Sequence, residues 1–176
     1  MKNGNEKNPA SLLETVFSEI ATIRMTGVPI LNPALRVEAV GFRTWEGRWV
    51  GVLVTPWTIS LVLLPGQEAG MEALVPDQRK VWAFPSGDYE FMGLNEPSLG
   101  VCHLCPLISP VLEFATHAAA VEVAHEVMRV LLDGSGAGSN EALGDMIEEA
   151  RLKGDSLAGK TVSRRDFLRL PLSERP

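Results

Sequence analysis

The sequence predicts an α+β domain: a single antiparallel sheet of about six strands, with an N-terminal helix and a long C-terminal helix packed on one face in two layers. Three observations carry this. The chain opens on an apolar stripe at helical spacing. Short apolar runs separated by turn residues fill its middle, and a second helical stripe follows from about residue 116. The 176 residues suit one domain with spare length at the ends, and 45% hydrophobic against 22% charged residues suit a packed core.

Residues 1–9 are polar and expected to be disordered. The opening MKNGNEKNPAS has no apolar stretch and is not expected to be a secretory signal. From Ser11 to about Arg24, apolar residues at Leu12, Leu13, Val16, Phe17, Ile20 and Ile23 share one helical face. Ser11 with Glu14 has the spacing of a capping box, and Gly27 and Pro29 end the helix.

LRVEAVGFRTW then reads as a strand in which Val37, Ala39 and Gly41 alternate with Glu38, Val40 and Phe42. Glu46-Gly47 is a turn, because glycine accepts positive φ. RWVGVLVT and TISLVLLPG are strands parted by Pro56, which has no N–H for the ladder. KVWAFP, DYEFMGL and GVCHLCPLI complete a meander with short connections, which implies antiparallel pairing of neighbours. In THAAAVEVAHEVMRVLLDG, Val123, Val127, Val130 and Leu131 form the apolar stripe and Gly134 the stop. A core domain over residues 10–133 is thus followed by a flexible Gly/Ser linker and basic tail over 134–176.

The net charge of −6 argues against general nucleic-acid binding, which needs a basic surface. The longest apolar run, Val50 to Gly66, is short and broken by Thr55, Pro56, Thr58 and Ser60, so no stable membrane insertion is expected. Two cysteines suit a reducing compartment, and a cytoplasmic location is expected. There is no nucleophile elbow and no phosphate-binding glycine loop.

Cys102-His103-Leu104-Cys105 is the segment closest to enzyme chemistry: two thiols at this spacing make a redox pair or half a zinc site. Against it, a strand turns Cys102 and His103 to opposite sides, and buried free cysteines are ordinary small apolar residues. His117 and His125 lie eight apart on the following helix, whereas a metal pair prefers a spacing of four. Trp45, Trp49 and Trp57 crowd together; such rings serve either as interface anchors or as cross-strand core. Thr55-Pro56-Trp57 is a rigid break expected to shape a groove at a sheet edge, where a peptide can add as a strand.

The stretch WEGRWVGVLVTPWTISLVLLPG, residues 45–66, resembles the signature region of the HybE/HupJ family of [NiFe]-hydrogenase assembly chaperones. The matching positions are Trp45, Glu46, Gly47, Trp49, Gly51, Thr55, Pro56, Trp57, Pro65 and Gly66. VFSEIA, FPSGDYEF and CPLISPV resemble further family segments in the same order; Cys102 and His103 fall outside the pattern. The resemblance implies a non-catalytic accessory factor without a cofactor or metal. Its partner would be the large or small subunit precursor of an uptake hydrogenase, held back from export until assembly is complete. The partner-binding residues expected on this basis are Trp45, Glu46, Trp49, Thr55, Pro56 and Trp57. A metal- or redox-handling protein built on Cys102, His103 and Cys105 is the alternative.

Near the C-terminus, Ser163-Arg164-Arg165-Asp166-Phe167-Leu168-Arg169 has the look of a twin-arginine export motif at the wrong end of the chain. Residues 153–176 hold six basic and three acidic side chains, so a basic tail follows an acidic body. A signal-binding chaperone can carry a tethered imitation of its ligand, with Arg164, Arg165, Phe167 and Leu168 folding back onto its own groove.

Overall fold

The computed structural model describes residues 7–133 together with 144, 145 and 148; the expectations for residues 1–6 and for the tail residues Arg164, Arg165, Phe167 and Leu168 lie outside them. Helix α1 runs Ala10–Ile23. Strands follow at β1 (Glu38–Trp45), β2 (Arg48–Val54), β3 (Ile59–Leu64), β4 (Arg79–Phe84), β5 (Gly87–Glu96) and β6 (Gly100–Ile108). Helix α2, His117–Leu132, closes the core. The α+β class and the single six-stranded antiparallel sheet are as the sequence predicts.

The strand order is β1-β2-β3-β6-β5-β4, and every pairing is antiparallel. This corrects the meander. Residues 65–78 form a long connection after β3, so β6 takes the place beside β3 and β4 becomes the far edge.

The helices occupy opposite faces, which corrects the two-layer arrangement. Val50, Val52, Val54, Leu61 and Leu63 pack in one cluster with Val123, Val127, Met128 and Leu131 of α2. The alternate residues Leu53, Val62, Leu64 and Cys102 pack with Leu13 and Phe17 of α1. Because both sets are apolar, β2 and β3 read as continuous hydrophobic runs rather than as alternating ones, which is the signature of a sheet covered on two sides.

Strand β1 breaks its own alternation. Val40 pairs with Val52 and Arg43 with Val50, so Gly41 and Phe42 together oppose Gly51, a β-bulge with Gly41 at φ 66°. A Cβ on Gly41 would meet Met128 of α2, and one on Gly51 would lie 2.2 Å from the Phe42 ring. Val40 and Phe42, grouped together by periodicity, therefore face opposite helices.

The capping box is absent. Helix α1 begins at Ala10, one residue before Ser11, and Asn8 Oδ1 accepts the Ala10 N–H at 2.9 Å. Glu14 instead reaches sideways and accepts the Ala39 N–H of β1 at 3.0 Å. At the other end of α1, Arg24 pairs with the largely buried Glu96 at 2.5 Å, which fastens the helix to the end of β5 and keeps the guanidinium protonated beyond its ordinary range. Helix α2 is capped as expected for a Thr N-cap: Thr116 Oγ1 accepts the Ala119 N–H. His117 at its start accepts the Arg36 N–H on Nδ1 and donates from Nε2 to Glu38 at 2.8 Å, joining α2 to β1.

Candidate partner-binding surface

Glu46 and Gly47 both have positive φ, 48° and 74°, so β1 and β2 are joined by a two-residue hairpin turn with the right-handed twist such turns match. Glu46 is exposed at its tip. The tip is held from below: a Cβ on Gly66 would lie 2.0 Å from the Gly47 carbonyl oxygen. Of the glycines in the WEGRWVG…PG pattern, Gly66 is thus required by close backbone approach, Gly51 by the Phe42 ring and Gly47 by its positive φ.

Trp45 is half-buried and stacks on Phe84 with ring centroids 4.2 Å apart. Those residues end β1 and β4, the two edge strands, so the sheet curls until its edges meet through this ring pair. Phe84 in turn packs edge-on against Tyr89 and beside Phe91. Tyr89 shares a 2.9 Å hydrogen bond with Ser86, and burial pushes its phenol above the ordinary value. Trp49 and Trp57 are half-buried on the α1 side.

Thr55 is fully buried, and its Oγ1 accepts the Thr58 N–H at 3.0 Å and donates to the Thr58 carbonyl at 2.9 Å. The Pro56 carbonyl accepts the Asn32 N–H at 2.8 Å. The buried Asn32 side chain donates to the carbonyls of Val111 and Phe114. Thr55-Pro56-Trp57 is therefore the turn between two interior strands, pinned by the segment before β1. This corrects its placement at a sheet edge. The open edge is β4, for which KVWAFP carries no local signal.

The Cys102-His103-Leu104-Cys105 side chains do not converge. Cys102 packs on the α1 side, while His103 and Cys105 face α2. Burial pushes the Cys102 thiol up to about 12, so it stays a thiol rather than a metal-binding thiolate. His103 is fully buried with both nitrogens engaged: Nδ1 accepts from Trp82 Nε1 at 3.1 Å, and Nε2 donates to the Glu72 carbonyl at 2.9 Å. That pattern fixes a neutral imidazole, and burial lowers its pKa below 6.5. The histidine ties the long connection and the far edge strand to the centre of the sheet. Among the described residues, no group of three or more His, Cys, Asp or Glu side chains could hold a metal ion.

The sequence reading left out Trp82, which joins more contacts than the other tryptophans. Arg48 and Lys80 both lie over its ring at 4.8 Å, and Lys80 also pairs with Glu72 at 3.2 Å. Arg48 and Trp82 are distant in sequence, and no spacing rule links them.

No helix among the described residues is long and apolar enough to cross a membrane. A family model described as [NiFe]-hydrogenase assembly, chaperone, HybE matches residues 8–170. The probable rubredoxin HupJ of Rhodobacter capsulatus is 41% identical over 118 residues, which is 67% of this chain and 42% of that protein. The chain therefore spans less than half the length of that relative. Protein HoxT of Cupriavidus necator is 34% identical over 164 residues and is covered over 91% of its length. The solution structure of HybE from Escherichia coli shares the fold with a TM-score of 0.59 at 22% identity, over 90% of this chain and 94% of that one. The chain belongs to the HybE family of [NiFe]-hydrogenase assembly chaperones.

Proposed function

We propose that this protein is a cytoplasmic, non-catalytic accessory chaperone in the maturation of an uptake [NiFe]-hydrogenase. It binds a subunit precursor, large or small, with the twin-arginine signal peptide as one element recognised, and delays export until assembly is complete. The family match over residues 8–170 is the observation that carries this reading. Relatives named hydrogenase expression/formation proteins, among them HupJ of Bradyrhizobium diazoefficiens at 35% identity, support it.

Within the set Trp45, Glu46, Trp49, Thr55, Pro56 and Trp57, the half-buried rings of Trp49 and Trp57 and the exposed Glu46 are the contacts a client meets. Trp45, Thr55 and Pro56 hold the hairpins that present them. Nothing in the arrangement favours the metal or redox alternative.

The test is affinity capture from cells that make the cognate hydrogenase, with each precursor supplied with and without its signal peptide. Recovery of one precursor, weakened by Trp49→Ala, is the expected result. Failure to recover either precursor, together with normal export and activity in a deletion strain, rejects the reading.

A further inference from the structure

Strand β4 is an edge strand whose outer backbone groups have no hydrogen-bond partner among the described residues. Its two sides differ. Toward α2 it carries Lys80, Trp82 and Phe84, and Trp82 is half-buried. On the other side Arg79, Val81 and Ala83 are exposed, Val81 by 57%. In register behind Val81 and Ala83 stand Glu90 and Asp88 of β5. A strand added at this edge would find methyl groups beside it and two carboxylates one strand further in. The chain leaves the core next to this edge, because the Ser86 N–H between β4 and β5 donates to the Leu131 carbonyl at the end of α2.

We propose that the outer edge of β4 accepts residues 162–170 of the same chain, VSRRDFLRL, as an added strand. Alternation puts Ser163, Arg165, Phe167 and Arg169 on one side and Val162, Arg164, Asp166, Leu168 and Leu170 on the other. With the first set on the exposed side and Phe167 beside Val81, one guanidinium group lies beside Ala83 with Asp88 in register behind it, and the other lies beside Arg79 and reaches Glu90 on the diagonal. The second set then meets Trp82. Residues 134–161 span about 90 Å when extended, against about 20 Å for the length of β4, so the tether reaches with slack. Tethering keeps the segment at an effective concentration on the order of millimolar. The family match runs to residue 170, the last residue of the segment. The inference does not depend on the client's being a hydrogenase precursor.

Amide hydrogen exchange on the full chain tests it, with wild type beside a full-length Arg165→Glu, Phe167→Asp, Arg169→Glu variant. The outward amides of residues 79–84 are expected to exchange about tenfold faster or more in the variant, with those of β3 unchanged. Excess free peptide of sequence 162–170, added to the variant, restores protection. Equal exchange in the two chains overturns the proposal. So does protection of wild type that grows with protein concentration, which assigns the edge to a second copy.

Discussion

Strand β1 has helices on both of its faces, and at its outer edge the Ala39 amide donates to Glu14. At the opposite edge, β4 exposes Arg79, Val81 and Ala83 and presents an outer ladder without partners among the described residues. The difference shows that edge protection here is tertiary rather than local. The carboxylate that holds the Ala39 amide at the β1 edge comes from a helix 25 positions earlier, and it is available because Glu14 has no capping duty. Strand β4 relies on what its own sequence offers, the charges of Arg79 and Lys80, which deter but do not occupy an edge. The two edges meet where Trp45 stacks on Phe84.

The largest effect on this comparison is expected from Phe84→Ala, which removes a 6%-exposed ring shared by Trp45, Tyr89 and Phe91. A loss of about 3–4 kcal/mol should appear in urea unfolding, with faster exchange at both edges. If only β4 loosens, the stack is not what joins them. Trp82→Phe keeps an aromatic ring but leaves the buried Nδ1 of His103 without its donor, at a cost of about 1–2 kcal/mol.

His103 also sets a pH dependence. Its folded pKa lies below 6.5, so the unfolded chain takes up the proton first. Its contribution is complete above pH 6.5 and is lost as pH falls through the lower folded value. Unfolding midpoints measured across that range should decline on the acid side, and His103→Gln should remove this component.

Glu14→Ala is expected to cost about 1 kcal/mol and to speed exchange of the Ala39 amide specifically. An unchanged Ala39 amide would mean that the helix body, not the carboxylate, guards β1. The smallest effect on stability belongs to Val81→Glu, within about 0.5 kcal/mol because Val81 is 57% exposed. Its effect on strand addition should nevertheless show, since it removes the larger apolar side chain of the exposed side, the one beside Phe167.

Much of this architecture was legible in the sequence because its signals are local. Stripes of apolar residues point to both helices, and Pro56 and Glu46-Gly47 mark turns between strands. What escaped is what depends on pairings distant in the chain. Antiparallel alternation does not say which neighbour a strand takes, so the position of β6 between β3 and β5 could not be read. Nor could a run such as ISLVLL tell one covered face from two. At the candidate surface, the hairpin motif was found, but its glycines answer to Phe42 and to one another, and Trp82 gains its partners only when the sheet curls.

The bulge at Gly41 sets the address of everything after it in β1. Side-chain facing in a strand is a parity, and the extra residue changes that parity once. Counted by plain alternation from Val40, Trp45 would fall on the side of α1, away from Phe84; the extra residue returns it to the side of α2. Loss of the Gly41 codon would therefore leave a plainly alternating strand with the pairs from Arg43 to Trp45 kept, whereas a codon lost between Arg43 and Trp45, where no bulge can absorb it, would turn Trp45 to the other face.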